Sequence, residues 1–288
     1  MISAHKNNAT NRDIMKSKIC FIGGGNMASS LVGGLINNHY PAGLITVTDP
    51  QQDKLDFLAK QFSINTTTDN QAAVEDADVI VLAVKPQVLA EACKNIKHAM
   101  QAKSALIISI AAGIRSTDID RWLGGNNAIV RCMPNTPSLI QAGATGLFAN
   151  PQTSLQQKEM AEQILAAAGI TLWVDEESLL DAVTAVSGSG PAYFFLFMEA
   201  MQRAGTQLGL DEQTAGLLAK QTALGAARMA LEGTDDPATL RAKVTSKGGT
   251  TAAAIASFEA NNFADIIQQA LTAARDRAIE LADELGRQ

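Results

Sequence analysis

The sequence predicts an α/β domain with a doubly wound sheet, followed by a domain that is entirely α-helical. Two observations predict this order: short apolar runs alternate with amphipathic stretches up to about residue 177, and strand signals stop beyond that point. The length of 288 residues is also enough for two domains. The predicted division is a disordered polar tail over residues 1–17, the α/β domain over 18–177 and the helical domain over 178–288.

Six short runs in the first domain are predicted to be strands. Several contain apolar residues throughout, which is typical of strands buried on both faces of a parallel sheet. The predicted strands are Ile19–Ile22, Leu44–Thr48, Val79–Val84, Leu106–Ile110, Ala128–Arg131 and Gly146–Phe148. The predicted helices between them are Met27–Asn37, Asp53–Gln61, Gln87–Met100 and Ser116–Leu123.

The second domain carries helix signals throughout. Pro191 suits the first turn of a helix, where its missing N–H costs nothing, and Gly209 ends that helix. Further helices are predicted after Asp211, at Asp236–Pro237 and after Gly248–Gly249. The final helix places one face of apolar residues at helical spacing, namely Ile266, Ile267, Ala270, Leu271, Ala274, Ala278, Leu281 and Leu285. This apolar content is high for a layer packed on one side, so we expect a partner chain.

Composition and charge exclude several classes of protein. The chain has 23 basic and 29 acidic residues, a net charge of -6, whereas a sequence-independent nucleic-acid binder needs a basic face. No apolar run approaches the roughly 20 residues that cross a bilayer, and no secretory signal is expected in the polar stretch before Lys18. The three cysteines are widely spaced, which excludes a disulfide scaffold and favours the cytoplasm. They form no cluster with the three histidines, so no metal site is predicted.

A glycine-rich turn follows the first predicted strand. Gly23, Gly25 and Ala28 fit the pattern G-x-G-x-x-G/A, with Asn26 and Met27 inside it. The first glycine permits a tight turn, the second lets the backbone approach a pyrophosphate, and the small third residue allows close helix–strand packing. The free N–H groups at the start of the following helix then face the phosphates. In this strand-to-helix context, the motif predicts a Rossmann-type domain that binds a dinucleotide.

Asp49 closes the second predicted strand, about twenty residues after the glycine motif. An acid at this place accepts hydrogen bonds from the adenine-ribose hydroxyls and repels a 2′-phosphate, which favours NAD(H). The alternative is an ordinary turn acid in Asp49-Pro50, and the nearest base is Lys54. The choice between NAD(H) and NADP(H) therefore stays open.

Six blocks occur along the chain in an order that is typical of one enzyme family. They are Phe21–Ala28, Ala83–Pro86, Ser109–Gly113, Arg131–Pro137, Ser187–Tyr193 and Ser246–Thr251. From Lys18 to the final helix, the chain resembles the Δ1-pyrroline-5-carboxylate reductases, with Lys247 where that family usually has proline. The resemblance implies reduction of 1-pyrroline-5-carboxylate to L-proline by hydride transfer from NAD(P)H, the last step of proline biosynthesis. It also implies that the helical domain dimerises, with the homodimers often stacked into larger rings.

The resemblance further implies which residues contact the cofactor. Ala83, Val84, Lys85 and Pro86 match a loop along the nicotinamide-ribose side. Asn70 matches a position at the adenosine end, and Ala111 and Ala112 match small residues that let the nicotinamide ring lie close to the backbone. For these two alanines, simple tight packing is the alternative.

The block Ser246–Thr251 resembles the family's site for the substrate carboxylate. The candidate ligands are the hydroxyls and backbone amides of Ser246, Gly248, Gly249, Thr250 and Thr251. Thr251 is the candidate catalytic residue, since by resemblance its hydroxyl lies near the imine nitrogen and orients or relays a proton there. The alternative is a helix cap, because Ser, Thr and Gly are common at helix starts. Lys247 places a flexible charge where the family has a rigid ring.

Two other blocks and two rival functions stay open. Ser187–Gly190 is either a flexible linker or an active-site loop that leads to Tyr193, and Met133–Pro137 is either in contact with the ligands or purely structural.

The first rival function is that of a β-hydroxyacid dehydrogenase. Such an enzyme needs a lysine as general acid, but Lys220, Lys243 and Lys247 do not lie in that family's motif. The second rival is a protein that senses a dinucleotide without turnover.

Overall fold

An eight-stranded sheet forms the centre of the first of two compact units. The computed structural model describes residues 16–101 and 104–287, so residues 1–15 of the predicted tail lie outside the described part. The strands are β1 (Ile19–Ile22), β2 (Ile45–Thr48), β3 (Asn65–Thr67), β4 (Val79–Leu82), β5 (Leu106–Ser109), β6 (Ile129–Met133), β7 (Gly143–Ala149) and β8 (Gly169–Trp173). Their order is β3-β2-β1-β4-β5-β6-β7-β8, and neighbouring strands are parallel except β6 and β7.

The helices alternate with these strands up to β8 and then follow one another. In the first part they are α1 (Asn26–Asn37), α2 (Gln52–Phe62), α3 (Asn70–Glu75), α4 (Pro86–Gln101), α5 (Ser116–Leu123) and α6 (Leu155–Ala166). After β8 come α7 (Leu179–Val183), a π-helical turn (Thr184–Gly188), α8 (Gly190–Gln207), α9 (Glu212–Glu232), α10 (Pro237–Lys243), α11 (Thr250–Ala260) and α12 (Phe263–Gly286).

The first unit contains the described residues up to Gly188 together with those from Ala274 onward. Its sheet is buried on both faces, and successive side chains of β1 enter two different hydrophobic clusters. Ile19 and Phe21 belong to one cluster, whereas Cys20 and Ile22 belong to the other. Helices cover both faces, which explains why the central strands are apolar without alternation. The predicted doubly wound α/β domain is confirmed.

All six predicted strands are present, although two predicted ends lie too far along the chain. The strand predicted over Val79–Val84 ends at Leu82, and the one predicted over Leu106–Ile110 ends at Ser109, since the following residues form loops. The pattern missed β3 and β8, because the first is short and polar and the second lies at the sheet edge. It also missed α3 and α6, although Ser154 and Gln157 form a capping box at the start of α6.

The second unit, Ser189–Ala273, is entirely helical among its regular elements. Side-chain caps confirm two of its predicted helix starts. Asp211 Oδ1 accepts a hydrogen bond of 2.9 Å from the backbone N–H of Thr214 at the start of α9. Asp236 Oδ1 accepts bonds of 2.9 Å and 3.0 Å from Ala238 and Thr239 at the start of α10. These local signals position the helices as the sequence predicts.

Many large apolar side chains of the second unit are exposed in the single chain. On α8 and α9, five large apolar side chains are at least 63% exposed, namely Phe194, Phe195, Leu196, Leu217 and Leu231. Exposed apolar side chains in such number are typical of a protein–protein interface. Among the described helices, none combines the length and the apolarity that a bilayer crossing requires.

Candidate functional site

The loops that follow β1, β2, β4 and β5 emerge side by side at the carboxyl edge of the sheet. Ile22, the last residue of β1, is in register with Thr48 on one side and with Leu82 on the other. Leu82 is in turn in register with Ser109 at the end of β5. The strand order reverses between β1 and β4, and ligands of open α/β sheets bind in the crevice at such a switch point.

The glycine loop after β1 has the geometry that its motif predicts. Gly23 has a φ of 103°, and a Cβ there would lie 2.7 Å from the carbonyl oxygen of Ala83, so no larger residue fits. Gly25 precedes the first residue of α1, and a Cβ there would meet nothing within 4 Å. No described side chain caps α1, so the N–H groups of its first turn are available to an anion. The loop therefore fits the pyrophosphate of a dinucleotide.

Asp49 lies beneath this loop, and the backbone engages both of its carboxylate oxygens. Oδ2 accepts a hydrogen bond of 3.0 Å from the N–H of Gly24, and Oδ1 accepts one of 2.9 Å from the N–H of Gln51. The ammonium group of Lys54 is 3.6 Å from Oδ2. Asp49 thus makes the turn contact that the ordinary turn-acid interpretation requires, and it also supports the glycine loop from below.

The remaining candidate cofactor residues differ in exposure. Ala83 and Val84 are half-buried against Gly23, and the Lys85 side chain is exposed. Ala111 is 3% exposed and belongs to a hydrophobic cluster, whereas Ala112 is exposed, so only the second alanine offers its side chain to a ligand. The other two candidates in the first unit are Pro86, the first residue of α4, and Asn70, the half-buried first residue of α3.

Two of the blocks singled out in the sequence contact each other through Asn135. Its Nδ2 donates hydrogen bonds of 3.2 Å and 3.1 Å to the carbonyl oxygen and Oγ of Ser187. Its Oδ1 accepts one of 2.9 Å from the N–H of Ala144 on β7. A Cβ at Gly188 would clash with Cε of Met133. These contacts fix Ser187–Gly188 in a π-helical turn, so the flexible-linker interpretation does not apply to these two residues. No local sequence signal identified Asn135 as the residue that binds this turn.

A buried arginine fixes the start of the segment that leads to this turn. Nη1 of Arg131, on β6, is 3.2 Å from Oε1 of Glu177, and Nη2 is 3.9 Å from Oδ1 of Asp181 on α7. The carboxylate of Glu177 also accepts bonds of 2.6 Å and 2.7 Å from the N–H and Oγ of Ser116 at the start of α5. Burial raises the pKa of Asp181 above its ordinary value, and Arg131 opposes this shift.

The candidate substrate loop belongs to the second unit. Gly248 has a φ of 73°, a conformation that favours glycine, and a Cβ at Gly249 would lie 2.5 Å from Oγ of Ser246 and would displace that hydroxyl. Gly249 stands at the cap position of α11, and no described side chain caps this helix. The helix-cap interpretation of Ser246, Thr250 and Thr251 is therefore not supported. The side chains of Ser246, Lys247 and Thr250 are exposed, and Thr251 is half-buried.

The cysteines are unsuited to metal binding or nucleophilic catalysis. All three are buried and free, and burial raises the pKa of Cys20 and of Cys93 to about 12. Burial raises the pKa of Cys132 as well, so the thiols stay protonated. Over residues 16–101 and 104–287, there is no group of three or more His, Cys, Asp or Glu side chains that could hold a metal ion.

Two sequence models of protein families match the chain. Residues 177–281 match a model described as pyrroline-5-carboxylate reductase dimerisation. Residues 18–113 match a model described as NADP oxidoreductase, coenzyme F420-dependent. The matched ranges cover the helical part and the glycine-loop part of the chain.

Some solved structures of other enzymes share only the fold. An NADH-preferring ketol-acid reductoisomerase from an uncultured archean has a TM-score of 0.64 at 14% identity. Prephenate dehydrogenase from Aquifex aeolicus has a TM-score of 0.52, also at 14% identity. Identities this low carry no information about the substrate.

Other relatives are far more similar, and the similarity extends over nearly their whole length. The pyrroline-5-carboxylate reductase of Pseudomonas aeruginosa is 53% identical over 269 residues, which are 93% of this chain and 98% of the relative. The Coxiella burnetii pyrroline-5-carboxylate reductase structure has a TM-score of 0.90 at 50% identity, covering 92% of this chain and 98% of that one. The Plasmodium falciparum pyrroline carboxylate reductase, solved with NADP bound, has a TM-score of 0.81 at 30% identity, covering 93% and 99%. This chain therefore belongs to the pyrroline-5-carboxylate reductase family.

Proposed function

We infer that this protein is an NAD(P)H-dependent pyrroline-5-carboxylate reductase, which reduces 1-pyrroline-5-carboxylate to L-proline in the last step of proline biosynthesis. The observation that carries this conclusion is the 53% identity to a reductase of that name over 93% of the chain. The glycine loop agrees with it, because its open first-turn amides and its close approach to Ala83 suit a bound dinucleotide.

The loops of the first unit hold the cofactor in this proposal. The first-turn amides of Asn26, Met27 and Ala28 bind the pyrophosphate, and Gly25 leaves space for it. Ala112 and the loop after β4 border the nicotinamide end, and Asn70 borders the adenosine end. A bound nicotinamide dinucleotide supplies the hydride that reduces the imine carbon.

The loop of the second unit binds the substrate in this proposal. The hydroxyls of Ser246 and Thr250 and the amide of Gly248 hold the carboxylate, since no described side chain caps this helix. The N–H of Gly249 instead donates a hydrogen bond of 3.0 Å to the carbonyl oxygen of Ser246 and so shapes the loop. Thr251 contacts the ring nitrogen. An imine is reduced most readily as its cation, so the substrate brings its own proton and the chain needs no strong general acid. The hydroxyl of Thr251 orients that N–H and accepts its hydrogen bond.

The chain assembles into a homo-oligomer through its helical part, which matches the dimerisation model of the family. We propose a dimer as the basic unit and a ring of dimers as the larger form.

We propose that the border between the two domains lies between residues 177 and 178. We also propose that the protein is located in the cytoplasm. Cell fractionation with an antibody against the protein tests the location.

The decisive test is an assay of the purified protein with a panel of substrates. With pyrroline-5-carboxylate, we expect oxidation of NADH or NADPH and release of proline. Reduction of 2-keto or 3-keto acids with no activity on the cyclic imine would contradict the proposal and favour a dehydrogenase. Cofactor binding without turnover of any compound would favour a dinucleotide sensor.

A further inference from the structure

We propose that Glu177 is a positioning residue for hydride transfer, because its carboxylate bridges the two ends of the loop between β5 and α5 and thereby fixes Ala112 beside the nicotinamide ring. The inference deepens the proposed function and rests on it, since it takes Ala112 as part of the border of the nicotinamide end. Glu177 itself contacts neither cofactor nor substrate in this proposal and acts only through the loop.

The loop between β5 and α5 comprises residues 110–115. Ala112 is exposed, whereas Ala111 and Ile114 belong to one hydrophobic cluster of the first unit. Gly113 has a φ of 69°, a left-handed conformation that favours glycine. Ala112 therefore lies at the tip of a short turn, and the place of this tip depends on how the two ends of the loop are held.

Glu177 holds the end of the loop. Helix α5 begins at Ser116, and Arg115 at its cap position makes no side-chain capping hydrogen bond. Oε1 of Glu177 accepts a hydrogen bond of 2.6 Å from the N–H of Ser116, and Oε2 accepts one of 2.7 Å from its Oγ. A residue 61 positions away in the chain thus caps this helix, and its negative charge is favourable at a helix start.

The same carboxylate is bonded beside the start of the loop. Ser109, the last residue of β5, is in register with Arg131 on β6. The Arg131 side chain is 5% exposed, and its Nη1 lies 3.2 Å from Oε1 of Glu177. Glu177 therefore connects the strand next to the loop's first residue with the helix that follows its last residue.

Stability alone is a weak reason for a charged pair at this place. Buried ion pairs contribute little to the free energy of unfolding on average, because removing both charges from water offsets much of their attraction. Their hydrogen bonds are directional and fix the groups that they join. Hydride transfer requires the reacting carbons at a defined distance, so a loop that borders the nicotinamide affects the rate through its position.

The test compares the rate of hydride transfer with the affinity for a cofactor fragment that lacks nicotinamide. Stopped-flow measurement of a single turnover, with NADPH and saturating pyrroline-5-carboxylate on the full-length protein, gives the rate. Calorimetry with adenosine 5′-diphosphate gives the affinity, because this probe occupies the glycine loop and does not extend to the nicotinamide end. We expect Glu177→Ala to slow hydride transfer about tenfold and to leave the affinity for the diphosphate unchanged.

Three further variants isolate the cause. Glu177→Gln keeps the shape of the side chain and can still bond Ser116 through its amide, so we expect it to recover much of the rate. Ser116→Ala removes one of the two bonds to Glu177, and we expect a loss of about threefold. This variant carries the test if Glu177→Ala does not fold. Glu176→Gln is the matched control, since it removes the same charge from the exposed neighbouring residue, and we expect it to change neither quantity.

Two results would overturn the inference. One is an unchanged rate of hydride transfer in Glu177→Ala, or in Ser116→Ala where only that variant folds. The other is an equal loss of rate and of affinity for the diphosphate, which would show that Glu177 supports the whole unit and not the loop. If the unmodified protein does not reduce pyrroline-5-carboxylate, the proposed function is refuted and the inference fails with it. Normal turnover that does not depend on Glu177 refutes only the inference.

Discussion

At the scale of single residues, two glycines of the same loop are needed for different reasons. Gly23 is required by the protein itself, because its φ of 103° and the nearby Ala83 oxygen exclude a side chain. At Gly25 the space where a Cβ would lie is open in the protein, so under the proposed function this glycine serves the bound ligand and not the fold. The two substitutions to alanine therefore have separable effects.

We expect Gly23→Ala to lower the free energy of unfolding by about 1–3 kcal/mol, because the strained φ and the clash both persist in the folded state. Gly25→Ala should melt like the unmodified protein but bind NADPH more weakly, since the new methyl group occupies the space of the pyrophosphate. Thermal melts and fluorescence titration with NADPH check both. A Gly25→Ala variant that binds NADPH normally would show that the phosphates lie elsewhere.

We expect the hydroxyls of the candidate substrate loop to have separable effects in kinetics as well. If Ser246 holds only the carboxylate, Ser246→Ala should mainly raise KM, since that contact is the same in ground and transition states. Thr251→Ala should lower kcat by roughly ten- to a hundredfold, because a hydrogen bond to the reacting nitrogen changes as its charge is lost. Thr251→Ser should recover much of this loss. Unchanged kcat in Thr251→Ala would remove Thr251 from the mechanism.

At the scale of elements, the turn between α7 and α8 depends on one side chain from the loop that follows β6. Asn135 bridges β7 and the π-helical turn with bonds of 2.9 Å, 3.1 Å and 3.2 Å. We expect Asn135→Ala to destabilise the protein by about 1–3 kcal/mol in urea unfolding, because the groups on Ser187 and Ala144 lose their partners. Thr136→Ala, at the exposed neighbouring residue, is the control. Equal stabilities of the two variants would contradict the view that the hydrogen bonds of Asn135 stabilise this turn.

The acid on α7 gives a pH-dependent contribution to stability. Burial raises the pKa of Asp181 above its ordinary value of 3.8, although Arg131 and Arg115 oppose the shift, while Glu177 and Asp283 add to it. A carboxyl whose pKa is raised by folding favours the folded state below its unfolded pKa, and this contribution is lost as the pH rises through the folded value.

We therefore compare the free energy of unfolding of Asp181→Asn with that of the unmodified protein. The difference in favour of the variant should be larger at neutral pH than at a pH near the ordinary pKa of the carboxyl. Denaturant unfolding of both proteins across this range measures the difference. A stability difference that does not depend on pH would show that Asp181 does not titrate differently in the folded state.

At the scale of the whole molecule, the exposed apolar helices predict that the active enzyme is at least a dimer. Leu217 and Leu231 on α9 are 65% and 80% exposed in the single chain, an unfavourable arrangement for a monomer in water. Sedimentation velocity over a range of concentrations, with activity measured in parallel, should show a dimer or larger species that carries the activity. A fully active monomer would refute this prediction.

The sequence by itself determined the features that are encoded within a few consecutive residues. The apolar run of β1, the glycine turn after it and the capping acids Asp211 and Asp236 are all read from local spacing, and all are present in the structure. Such signals work because the apolar pattern of a strand and the capping residue of a helix are set by positions close together in the sequence.

Only the tertiary structure decided the contacts between distant segments. Asn135 and Ser187 are separated by 52 positions, and Ser116 and Glu177 by 61. The polar strand β3 likewise forms because β2 offers it a free edge, since its own sequence carries little strand signal. Which oxygens of Asp49 are already occupied also depends on where the glycine loop comes to lie. These partnerships follow from the path of the chain through the sheet, and no local pattern of side chains encodes that path.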